Sequence, residues 1–207
     1  MEKLLTATKT YRYELVEIEA NWAKKNVLIA LHGYGHLARY FIKKFEVLKE
    51  NYVVVCPEGP HRFYLRGSSG RVGACWMTKE AREIDIEDNL KWLNELLKEI
   101  KNTFNPQNII LLGFSQGAAT AARWYQRNPS AFDQLILWST VFPPDIDTGT
   151  FPKEKPLHFV LGTDDEYYQG EAATELITSY ETLGFQVHTY EGKHDLDGQM
   201  LFHLLIT

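Results

Sequence analysis

Residues 108–118 read Asn-Ile-Ile-Leu-Leu-Gly-Phe-Ser-Gln-Gly-Ala. An apolar run ends in Gly113, a lone serine follows at 115 between Gly113 and Gly117, and small residues stand directly behind it. The run predicts a buried strand, and residues 115–128, closed by Pro129, predict the helix after it. G-x-S-x-G between a strand and a helix is the context of a nucleophile elbow. The serine must occupy a tight, strained turn, and glycines two before and two after it remove side chains that would collide there. Free amides at the start of the helix then favour negative charge developing near the serine. A serine capping a helix in a glycine-rich turn is the plain alternative. The rest of the chain therefore has to supply a base, a carboxylate and an oxyanion site.

Outward from this point, short apolar runs alternate with helical patterns. Tyr11–Ile18 alternates like an edge strand, 27–33 reads as a buried strand ending in a glycine turn, and 38–50 as the helix behind it. Strand 52–59 follows. Ile86, Leu90, Leu93, Leu97 and Ile100 recur at steps of four and three, so 82–104 is one amphipathic helix, ended by Asn105-Pro106. Strands are expected at 134–140, 157–162 and 185–192, a helix near 168–183 stopped by Gly184, and a short terminal helix. Strand–helix alternation implies a mostly parallel sheet with helices on both faces. In such sheets active groups gather at the carboxyl ends of the strands.

Serine needs a base, and histidine is the usual one near neutral pH. Four of the seven histidines lie beyond Ser115. His158 and His188 fall inside predicted strands and His203 in the terminal helix. His194 lies in a glycine loop, Glu191-Gly192-Lys193-His194, just past the last strand, and is the chosen base. The acidic turn Gly162-Thr163-Asp164-Asp165-Glu166 directly follows strand 157–162. Either aspartate can orient the imidazole; Asp165 is preferred and Asp164 held in reserve. The oxyanion requires two amides. Gln116 N–H supplies one, and Tyr34 N–H, in Leu31-His32-Gly33-Tyr34-Gly35, the other. His32 is read as a brace for that loop and His36 as the start of the next helix, since no ligand set accompanies them for a metal.

With 207 residues, 44% of them hydrophobic and 24% charged, the chain is expected to form one domain, 1–207, with ample material for a core. A net charge of −5 argues against a nucleic-acid partner. No apolar run approaches a membrane span, and the start lacks a signal-peptide pattern. Cys56 and Cys75 make no disulfide framework, so a cytoplasmic location is expected.

Taken together, Leu31–Gly35, Gly113–Ala118, the acidic turn at 162–165 and Gly192-Lys193-His194 resemble the phospholipase/carboxylesterase group of α/β-hydrolases over nearly the whole chain. The resemblance implies a Ser115–Asp165–His194 triad, an acyl-enzyme intermediate, no cofactor and no metal. It implies a small-molecule ester or thioester substrate, no separate lid domain, and a monomer or homodimer. Three features depart from the pattern. Thr163 and Glu166 replace an aspartate and a proline of the acidic turn, His36 stands where an aspartate is usual, and the glycine run before the histidine is shortened to Gly192-Lys193-His194. The turn-rich segment 57–79 should lie over the active face, with Trp76 and Tyr64 lining the substrate site and Phe142 narrowing its other side. Trp76 is chosen because similar proteins carry a tryptophan there. The rival reading is a binding protein on the same fold with little or no catalysis.

Overall fold

Apolar runs long enough to be buried on both faces form the centre of the molecule. The computed structural model describes residues 3–16 and 26–206. Its strands are β1 (Tyr13–Val16), β2 (Asn26–Leu31), β3 (Tyr52–Pro57), β6 (Asn108–Phe114), β7 (Gln134–Trp138), β8 (Leu157–Gly162) and β9 (Gln186–Tyr190), and they build one seven-stranded sheet in the order β1-β3-β2-β6-β7-β8-β9. Only β1 runs antiparallel, against β3. Residues 17 and 18 of the expected edge strand lie outside the described residues. The hairpin β4 (His61–Tyr64) and β5 (Val72–Cys75) pairs separately, inside the turn-rich segment 57–79.

The period of two in the strands divides the core. Val27, Ile29, Leu31, Val53 and Val55 face one layer with residues of α2 (Arg82–Phe104), α3 (Gln116–Arg127) and α4 (Glu171–Thr182). Leu28, Ala30, Val54, Ile110 and Leu112 face the other, with α1 (Ala38–Phe41), the segment after it and α5 (Gly198–Ile206). This is the expected mostly parallel sheet covered on both faces, and both faces being dry explains the near-continuous apolar runs. Among the described residues no helix is long and apolar enough to cross a membrane, and no separate lid stands over the sheet.

Local chemistry moves some boundaries. The helix expected over 38–50 is four residues of α-helix followed by a 3₁₀ turn over Ile42–Leu48. Ile42, Phe45 and Leu48, all buried, recur every three residues, the period that a 3₁₀ helix places on one face. His36 does not begin that helix but pairs with Ala74 in an isolated bridge, two residues before α1. The helix expected near 168–183 is shorter, 171–182, because Gly170 takes φ 56° at its start.

Between β2 and β6 the chain reverses its direction of winding, so the loops after these two strands part and leave a crevice. The loop after β2 carries Tyr34, and the turn after β6 carries Ser115. His32, fully buried at the end of β2, fixes the first of these loops. Gly59 N–H donates to His32 Nε2 (2.9 Å), which leaves Nδ1 to donate to the Gly33 carbonyl (2.8 Å). Burial accordingly lowers the pKa of His32 from 6.5 to about 4. The expected bracing role holds.

Two outcomes follow. A Cβ on Gly117 would lie 2.3 Å from the Leu31 carbonyl oxygen, so Gly117→Ala should cost roughly 3 kcal/mol in chemical denaturation; wild-type stability would contradict this close approach. The unfolded chain protonates at an ordinary histidine before native His32 does, so stability should fall as pH drops from 6.5 toward about 4. Imidazole NMR should find His32 neutral through most of that window, and titration of this ring at its ordinary value would overturn the assignment.

Candidate active site

Ser115 sits where β6 gives way to α3, with φ 53° and ψ −120°, a conformation that side chains other than glycine rarely take. Its N–H donates to the Trp138 carbonyl at the end of β7 (2.8 Å), and its own carbonyl accepts from Ala118 N–H (3.0 Å). The flanking glycines permit the turn. A Cβ on Gly113 would lie 2.3 Å from Ala118 Cα.

His194 Nε2 is 3.0 Å from Ser115 Oγ. Its other nitrogen, Nδ1, donates to Asp165 Oδ2 at 2.7 Å, which leaves Nε2 free to accept the serine proton. Asp165 is fully buried, and its second oxygen accepts from Tyr167 N–H (3.0 Å). Its neighbour Asp164 points to solvent, with its backbone N–H donating to the Gly192 carbonyl (2.9 Å). The structure therefore brings Ser115, His194 and Asp165 into one hydrogen-bonded line and leaves Asp164 out of it. His158 and His188 bond to each other at 3.0 Å within β8 and β9.

Several supports were not visible beforehand. The His194 ring lies between Phe114 (5.0 Å between centroids) and Tyr167 (4.6 Å, edge-on). Glu166 accepts from His194 N–H (3.2 Å), so the residue that breaks the resembled acidic turn ties the histidine loop to it. The Tyr190 hydroxyl accepts from Trp138 Nε1 (3.3 Å) and reaches the carbonyls of Lys193 (3.0 Å) and Asp195. The Gln116 side chain accepts from Trp76 N–H (2.9 Å) and donates to the Met77 carbonyl (2.8 Å), clamping the start of α3 to the loop after β5. Only its place beside the serine hinted at this. Glu58, its side chain fully enclosed, receives Arg12 (2.7 and 3.0 Å), Arg62 (2.7 Å) and Ala38 N–H (3.2 Å). Burial alone would raise its pKa, but the two guanidiniums hold it below the usual carboxylate range.

Gln116 opens α3 directly after Ser115, and Tyr34 follows Gly33, where an added Cβ would lie 3.2 Å from Ser115 Cβ. Among the described residues neither Tyr34 nor Gln116 N–H donates to a group outside its own element. Both contribute to a cleft of about 410 Å³ with Met77, Thr78, Lys79 and Arg82. Arg82 and the buried Arg123 (2.6 and 2.8 Å) share Asp145, which pins the loop after β7 beside that cleft and drives the Asp145 carboxyl well below its usual range.

Of the three expected substrate-lining aromatics, Trp76 is placed otherwise. Trp76 has no exposed surface; its indole donates to the His32 carbonyl (2.8 Å) and stacks on Trp92, so it is core beneath the site. Tyr64 alternates with Phe63 along β4, and it is Phe63 that meets Tyr34 (5.0 Å), while Tyr64 is 48% exposed. Phe142 packs edge-on against Phe151, Tyr180 and Phe185. A loop aromatic that anchors and one that lines a pocket look alike in sequence.

Comparison with known proteins places this geometry. Over 110 residues the chain is 28% identical to a 1-acylglycerol-3-phosphate O-acyltransferase of Arabidopsis thaliana, a match covering 53% of this chain and 24% of the relative. The chain thus matches about a quarter of the length of that relative. The structure of esterase PE8 superposes with a TM-score of 0.73 at 22% identity, covering 95% of this chain and 97% of that one. A carboxylesterase from Mesorhizobium loti superposes at 0.69 with 17% identity and 94% of each chain covered. At such identities these likenesses show the fold, an α/β-hydrolase. The phospholipase/carboxylesterase family profile matches residues 14–205, nearly the whole length. The chain belongs to the phospholipase/carboxylesterase family of hydrolases.

Proposed function

We propose that the protein hydrolyses carboxylic esters or thioesters of small molecules through an acyl-enzyme on Ser115. The observation that carries this reading is the line Ser115–His194–Asp165, with contacts of 3.0 and 2.7 Å. Ser115 Oγ attacks the carbonyl carbon while its proton passes to His194 Nε2, and Asp165 steadies the imidazolium that results. The carbonyl oxygen becomes an oxyanion held by Tyr34 and Gln116 N–H. As the tetrahedral species collapses, the leaving oxygen or sulfur takes the proton from His194 and departs. Water then repeats the sequence against the acyl group, returning the proton to Ser115 Oγ. No step in this scheme calls on a cofactor. The whole chain works as one domain, and the two unpaired cysteines fit a cytoplasmic setting.

p-Nitrophenyl esters from acetate to dodecanoate provide the assay. Ser115→Ala should lower kcat by roughly 10⁵-fold with the fold intact. Asp165→Asn should lower it by roughly 10⁴-fold, through loss of the correct imidazole tautomer, while Asp164→Asn stays near wild type. Retained activity in Ser115→Ala would sink the assignment. Failure of wild type to turn over any ester or to react with a phosphonate probe would favour a binding protein instead.

A further inference from the structure

Beside the serine line lies a larger cleft, about 810 Å³, bordered by His36, Arg39, Tyr40, Lys44, Arg71 and Val72 among others. It exists because the β4–β5 hairpin lies directly on the loop after β2. A Cβ on Gly73 would come within 2.5 Å of the Gly35 carbonyl oxygen, and Gly35 N–H donates to the Ala74 carbonyl (2.8 Å). Among the described residues that border it, three are cations (Arg39, Lys44 and Arg71) and none is an acid. Lys44 is matched by Asp195 at 2.7 Å. Arg39 lies over the Tyr40 ring at 4.8 Å and, like Arg71, has no carboxylate partner among the described residues. Two unmatched guanidiniums on a mostly apolar cleft stand out in a chain of net charge −5. Guanidinium is the side chain best suited to carboxylate or phosphate.

The cleft also lies on a definite side of the reaction. Asp195, the partner of Lys44, directly follows His194. His36 stacks on Phe114 (5.8 Å), whose ring is 5.0 Å from that of His194. His194 must hand its proton to the leaving group, so the leaving group sits on this side. From these placements we propose that the cleft binds an anionic leaving group, an alcohol or phenol bearing a carboxylate or phosphate, with Arg39 and Arg71 as its specificity determinants. The inference rests on the acyl-enzyme reading above for the identity of the leaving-group side.

The test pairs 4-carboxyphenyl hexanoate with the neutral 4-carbamoylphenyl hexanoate, in wild type and in an Arg39→Ala/Arg71→Ala variant. Wild type should favour the carboxylate in kcat/KM by about tenfold or more, and the double variant should lose that preference, chiefly through KM, while keeping its rate on the neutral ester. Ligand-observed NMR with 4-hydroxybenzoate, phenyl phosphate and neutral 4-hydroxybenzamide reads the cleft without catalysis and separates carboxylate from phosphate. Either anion should bind to wild type and be lost in the variant. Ester turnover with no anion preference and no anion binding overturns the cleft assignment and leaves the hydrolase reading standing. Anion binding lost in the variant, with no ester turned over, does the reverse.

Discussion

The site depends on how closely two stretches of backbone approach across the nucleophile turn. Gly113 lets the strand pass against Ala118, and Gly117 lets the first turn of α3 lie on the Leu31 and His32 carbonyls. No side chain fits at either point. The approach forces Ser115 to φ 53°, a strain on the order of 1–3 kcal/mol that the surrounding sheet must sustain. It does so with the Ser115–Trp138 backbone bond and with β6 in the middle of seven strands. In return Oγ comes within reach of His194 Nε2, and Gln116 lines the same cleft as Tyr34. The proposed nucleophile and oxyanion donors are thus set by one packing constraint.

The opposite wall is built from polar links. Asp165 is wholly buried, a costly place for a carboxylate unless its oxygens are met, and His194 and Tyr167 N–H meet them. The histidine loop is held through its backbone by Glu166 and by the hydroxyl of Tyr190. Replacement of a proline by Glu166 therefore does not loosen the acidic turn; it supplies a carboxylate acceptor that a proline cannot.

Much of this was legible in the sequence because it follows from periodicity and local sterics. The buried strands read as apolar runs, the 82–104 helix as a stripe, and the turn at Ser115 as glycine spacing; each is written in neighbouring residues. Membership of the hydrolase family was equally plain from Leu31–Gly35 and Gly113–Ala118. Long-range packing was not legible. Nothing adjacent to Trp76 tells whether its ring faces a ligand or Trp92, and nothing near Phe142 announces Phe151, Tyr180 and Phe185. The 3₁₀ turn at Ile42–Leu48 was masked because its three-residue spacing also fits the looser α-helical pattern. Arg39 and Arg71 stand 32 positions apart in the chain and border one cleft only because the hairpin folds onto the loop after β2.

The central claim is that a strained serine, relayed through His194 to Asp165, becomes acylated. Rapid quenching of the protein with a slow ester such as a p-nitrophenyl dodecanoate, followed by peptide mass spectrometry, tests it directly. The account predicts a transient acyl adduct on the peptide carrying Ser115, formed at the rate of the first nitrophenol release. Turnover with Ser115 unmodified at every time point, or an adduct on another residue, would contradict it.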